Sequence, residues 1–131
     1  MPLSSVGEEN VMCYPTDRYI GESILVHEFA HTIKLMGLEF MDSQFANTVQ
    51  TAYANAIAVG KWANTYAGSN AEEYWAEGVQ DYFNTNIQAD PSNGIHNFVN
   101  TRAELAAYDP ALYAIINQAF GDVTWRPVCP S

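Results

Sequence analysis

Ile20-Gly21-Glu22-Ser23-Ile24-Leu25-Val26-His27-Glu28-Phe29-Ala30-His31-Thr32-Ile33-Lys34-Leu35-Met36 is the stretch whose reading decides the fold. It reads as one helix that is apolar nearly all round, because Ile20, Ile24, Leu25, Val26, Phe29, Ile33, Leu35 and Met36 leave little room for a solvated face. A helix of that kind is expected to be buried. His27 and His31 are four residues apart, so they share a helix face about one turn from each other and both rings can reach one metal ion. Glu28 follows the first histidine directly and is placed beside such an ion without binding it. Polar groups in or near a core are costly unless paired or coordinated. The competing reading is two satisfied core histidines beside an ordinary glutamate.

The spacing His27-Glu28-x-x-His31 resembles that of the zincins, in which two histidines hold Zn²⁺ and the glutamate is general base toward water. A metzincin would continue with Gly and then His at the positions held here by Lys34 and Gly37, so that class is excluded. Gly37 is expected to end the helix as its C′ residue, with Lys34 near the negative end of the dipole. A third ligand must come from farther along the chain. The remaining histidine, His96, stands in the turn-like stretch Pro91-Ser92-Asn93-Gly94-Ile95-His96-Asn97 and is expected to be solvated.

The better candidate lies in Ala71-Glu72-Glu73-Tyr74-Trp75-Ala76-Glu77-Gly78-Val79-Gln80-Asp81-Tyr82-Phe83, which reads as a second helix with an acidic ladder at Glu73, Glu77 and Asp81. Its start is marked by a Ser69-x-x-Glu72 capping box or by Asn70 as cap, and either accounts for Glu72. Glu73 and Glu77 repel each other at i, i+4 unless something positive sits near them, and a zinc with its histidines supplies that charge. A plain solvated acidic face is the bland alternative.

Taken together, His27-Glu28-x-x-His31, Tyr66 and Glu73-Tyr-Trp-Ala-Glu77 resemble the catalytic core of the gluzincin-type metallopeptidases that include anthrax lethal factor and the Pro-Pro endopeptidases. The resemblance covers roughly Gly21 to Phe83 and only these motifs. It implies that Glu73 is the third zinc ligand and that Glu77 orients a ligand histidine from outside the metal shell. It also implies that Tyr66, seven residues before Glu73, hydrogen-bonds a developing oxyanion. The implied chemistry is hydrolysis of a peptide bond, with one Zn²⁺ on His27, His31 and Glu73 lowering the pKa of water to about 7 and Glu28 moving the proton. Zinc affinity is expected to fall below about pH 6.5, the unperturbed histidine value. The chain departs from that group in having little sequence ahead of the motif helix, where only Asn10 to Tyr14 reads as a strand before Pro15.

Length and composition bound the rest. At 131 residues and 48% hydrophobic, residues 1–131 are expected to form a single domain with one core. Fifteen acidic against five basic residues disfavour nucleic acid and anionic membranes as partners and are compatible with a basic peptide. No apolar run reaches the ~18 to 20 residues of a membrane span, and the first ten residues lack the segments of a signal peptide. Cys13 and Cys129 are expected to form a disulfide closing more than 100 residues, worth up to about 4.7 kcal/mol in the chain-entropy model. Together with few lysines and a degradative-type metal site, this leans toward secretion.

The remaining chain reads as scaffold. A helix capped at Asp42-Ser43 runs to about Lys61, with Phe45, Val49, Tyr53 and Ile57 as its core stripe and Gly60 at its end. A short helix is expected near Thr101 to Ala107, and another from Asp109-Pro110 to Gly121. Trp62 to Asn70, with Gly68 as hinge, is expected to form the lip of a cleft. The fold class expected is mainly α, α+β at most in the zincin-like sense, with a motif helix crossing a Glu-bearing helix and no more than a short N-terminal β element. A zinc peptidase acting on peptide or protein substrate is the leading reading. A non-enzymatic, zinc-stabilised binding or toxin-like module is the alternative.

Overall fold

The computed structural model describes residues 5–125 and Pro127. Among them the order is α1 (Glu8–Val11), α2 (Ile24–Ile33), a π-helical turn (Lys34–Leu38), α3 (Glu39–Met41), α4 (Phe45–Ala58), α5 (Ala71–Tyr82), α6 (Arg102–Tyr108) and α7 (Pro110–Phe120). No strand occurs among the described residues, so the architecture is mainly α. Cys129, and with it the expected pairing to Cys13, lies outside the described residues.

The Glu-bearing helix α5 is the hub, and α2, α4, α6 and α7 all pack against it. Every residue from Tyr74 to Tyr82 is buried. Gly78 admits α7 closely: a Cβ there would lie 2.6 Å from Leu112 Cδ2 and 3.1 Å from Ile116 Cδ1. Asn70 starts the helix by accepting from the Glu73 N–H at 2.9 Å, so Asn70 and not Ser69 is the cap. Asp109 caps α7 as its position predicts, and Thr101, read as the first residue of its helix, instead caps α6.

On α4 the buried face is Val49, Ala52 and Ala56, while Ile57 turns outward at 39% exposure. A strict four-residue repeat drifts about 40° per step on a 3.6-residue helix, so the expected stripe has left the core by its third step. Gly60, at φ +82°, closes α4 with its N–H on the Ile57 carbonyl and that of Lys61 on the Ala56 carbonyl.

Four expectations fail at the N-terminal end. Asn10 to Tyr14 is no strand: α1 covers its start, and Asn10 clamps the entry of α2, its Oδ1 accepting from the Ile24 N–H at 2.8 Å and its Nδ2 donating to the Glu22 carbonyl at 2.8 Å. A lone strand with no pairing partner has nothing to stabilise it. The motif helix begins at Ile24, after the Ser23 cap, and not at Ile20. Nor is it buried all round, for Leu25, Phe29, Leu35 and Met36 are exposed, and the residues turned inward are His27, Ala30 and Lys34. Only one of its faces meets α5, and that face is the polar one. Gly37 does not end the helix, which widens into the π turn and runs on to Met41. The buried Lys34 ammonium holds that turn by donating to Glu39 and, at 2.8 Å, to Glu72 of α5. Glu72 is therefore an inter-helix partner rather than a capping residue.

Candidate metal centre

Acceptor atoms of three residues on α2 and α5 converge. His27 Nε2 lies 2.9 Å from Glu73 Oε2 and 3.2 Å from His31 Nε2, and His31 Nε2 lies 3.3 Å from Glu73 Oε1. One nitrogen or oxygen of each residue lies within 4.8 Å of the others. Glu73 Oε2 is buried and accepts no hydrogen bond while His27 Nε2 is unprotonated.

The far edge of His27 explains why. Its Nδ1 sits 2.8 Å from Glu77 Oε2 and 2.7 Å from Gln80 Oε1, both acceptors, so Nδ1 carries the hydrogen and Nε2 of the neutral ring turns its lone pair toward Glu73 and His31. A carboxylate with one imidazole nitrogen at each of its oxygens, His27 Nε2 at Oε2 and His31 Nε2 at Oε1, fits a cation that prefers N and O ligands, and Zn²⁺ is of that kind. Without one, a proton takes the place: burial opposes charge on His27, but the hydrogen bonds that the ring donates to Glu73 and Glu77 outweigh it and raise its pKa to about 10. For Glu73, burial is likewise outweighed by His27 and His31, which lower its pKa to about 2.

Glu28 and Tyr66 line the same cleft as His27, a space of about 770 Å³ bounded also by Tyr19, Ile24 and Ile95. The Tyr66 ring stacks on His27 with centroids 6.1 Å apart, and the residue is 44% exposed. Burial and the Glu73 charge raise its phenol pKa, which keeps the hydroxyl a proton donor. Of the Trp62 to Asn70 loop Tyr66 alone lines this cleft, and Gly68 is no hinge: a Cβ there would collide with the Trp62 carbonyl, and Tyr53 donates to the Gly68 carbonyl at 2.8 Å.

Asp81 leaves the expected ladder. Eight residues on from Glu73 it has rotated about 80° off that face, whereas Gln80, seven on, returns to within about 20°. Asp81 is fully buried with Asn86 donating to it at 2.8 Å, and burial pushes its carboxyl up. Gln80 was thus legible as the third member of the Glu73–Glu77 face. His96 and Glu22 were not. His96 is buried, not solvated, with Nε2 3.2 Å from Glu22 Oε2 and Nδ1 3.8 Å from Glu77 Oε1.

No protein-family model, curated protein or solved structure matches this chain.

Proposed function

We propose that the chain is a zinc-dependent peptidase, with His27, His31 and Glu73 holding one Zn²⁺. The observation that carries this is the convergence of two imidazole nitrogens and a buried carboxylate oxygen that accepts no hydrogen bond while His27 Nε2 is unprotonated. Bound there, zinc supplies Lewis acidity and brings the ionisation of water into the neutral range. Glu28, in the same cleft, is the general base: it takes a proton from water and returns it to the leaving nitrogen of a peptide bond. Tyr66 donates to the oxyanion that develops on the carbonyl. Glu77 and Gln80 fix the His27 tautomer from behind.

The test uses the zinc-loaded chain and Glu28→Gln with a mixed fluorogenic peptide library. Hydrolysis by the parent and a loss of about 10² to 10⁴ in the variant, with one zinc retained by both, is the expected result. Equal activity in the variant removes Glu28 as base. Zinc binding that stabilises the parent without any hydrolysis leaves the alternative, a zinc-stabilised binding module.

A further inference from the structure

Behind His27 the buried polar groups close into a ring. His27 Nδ1 meets Glu77 and Gln80, Gln80 Nε2 donates to Glu22 Oε1 at 3.0 Å, and His96 returns from Glu22 to Glu77. The side chains of Glu22, Glu77 and His96 are 7%, 5% and 7% exposed. Both nitrogens of His96 are turned to carboxylates, so it has no free edge for a substrate and acts through its neighbours.

The backbone beside His96 holds the opposite wall of the cleft. The Ile95 carbonyl accepts from the Tyr66 N–H at 2.9 Å, and the Gly94 N–H donates to the Asn64 carbonyl at 3.0 Å. Asn93 fixes this turn, its Oδ1 accepting from the His96 N–H at 2.8 Å and the Ile95 N–H at 3.1 Å. One short turn therefore reaches the back of a ligand histidine through a side chain and the oxyanion-side tyrosine through its main chain.

We propose that His96 is a positioning residue that, through Glu77 and Glu22, holds the metal-facing edge of His27 and registers it with the loop carrying Tyr66. This rests on the zinc-centre reading above. Glu22 and Glu77 are buried carboxylates with His96 between them, its pKa raised chiefly by the Glu22 hydrogen bond against the cost of burial.

Positioning and simple neutralisation predict opposite signs. If His96 only offset negative charge, removing it would tighten cation binding; if it positions His27, removal loosens it. Zn²⁺ affinity by chelator competition and the visible spectrum of the Co²⁺ form are measured for the full chain, His96→Phe, His96→Gln and Glu22→Gln. His96→Phe is expected to weaken Zn²⁺ binding about 10-fold and to shift the Co²⁺ bands, as loss of outer partners of a ligand histidine does. His96→Gln, which keeps a donor toward a carboxylate, should recover most of that loss. Unchanged or tighter binding by His96→Phe with an unaltered Co²⁺ spectrum overturns the proposal. Should His96→Phe fail to fold, the near-isosteric Glu22→Gln decides: shifted Co²⁺ bands support the proposal, and bands identical to the parent's overturn it. If the parent itself binds neither ion, the zinc-centre reading falls and this one with it; if it binds both and the variants match it, only the role of His96 falls.

Discussion

Asp109, packed against α5, and Glu73, carried by it, are both carboxylates, and they are satisfied in opposite ways. Asp109 Oδ2 accepts from the Trp62 indole at 2.9 Å and the Tyr74 hydroxyl at 2.8 Å, while Oδ1 accepts from the Leu112 N–H at 3.1 Å. Burial, with the Asp109 charge adding, raises the Tyr74 pKa, so the phenol stays a donor. Glu73 instead faces two imidazoles, and one of its buried oxygens accepts no hydrogen bond while His27 Nε2 is unprotonated. A carboxylate surrounded by donors is finished by the protein alone. One that faces imidazole nitrogens needs a proton or a metal ion between them. The difference separates scaffold from site within one small core.

The comparison is broken most forcefully at Asp109. Asp109→Ala leaves two buried donors unpaired at about 1–3 kcal/mol each and removes the α7 cap at about 1 kcal/mol, so a loss of roughly 3–7 kcal/mol is expected. That is a large part of the ~5–15 kcal/mol stability of an ordinary domain. Urea denaturation of the metal-free protein measures it, and Zn²⁺ affinity of the folded fraction should stay at the parent value. A cost below about 1 kcal/mol would show that Asp109 is not the scaffold carboxylate described.

The converse holds at the site. His31 is only partly buried and belongs to the acceptor cluster, so His31→Ala should change metal-free stability by no more than about 1 kcal/mol while weakening Zn²⁺ binding at least 100-fold, about 2.7 kcal/mol. Isothermal titration with Zn²⁺ beside a urea curve gives both numbers. Parent-like zinc affinity in this variant would place His31 with the scaffold.

What the sequence made legible follows the same division. Local signals succeeded where one residue type has one use: Asn70 and Asp109 at caps, and Gly60 at a helix end. The pairing of His27, His31 and Glu73 was also visible, because helix periodicity puts the first two on one face and two like charges at Glu73 and Glu77 ask for a counter-charge. The orientation of α2 was not. Its apolar residues outnumber its polar ones, yet α5 meets the side carrying His27, Ala30 and Lys34, with the Trp75 indole donating to the Ala30 carbonyl at 2.8 Å. Which face of a helix turns inward is set by its neighbour, and here that neighbour is itself polar along Glu73, Glu77 and Gln80. His96 escaped for a related reason: the turn that carries it looks solvated by composition, and only tertiary packing brings it to Glu22 and Glu77.

The smallest effect expected is a pH dependence that metal should reverse. In the metal-free protein the raised His27 pKa contributes stability that is complete below about 6.5 and is lost as pH rises through about 10. The lowered Glu73 pKa contributes stability present above about 4.5 and lost as pH falls toward about 2. The pair is therefore worth most between about pH 4.5 and 6.5. Asp81, whose carboxyl burial raises, adds a slope of its own, present alike in parent and Glu73→Gln, so the difference between the two isolates the pair. With chelator present, that difference should be greatest near pH 5.5 and shrink toward pH 10. Zinc must displace the proton that His27 holds, so the stabilisation it confers should instead grow from pH 6 to pH 8. Thermal unfolding across this range, with and without Zn²⁺, measures both slopes. Zinc stabilisation that is flat with pH would mean that His27 loses no proton on binding, and the proton placed between His27 and Glu73 in the metal-free protein would then be absent.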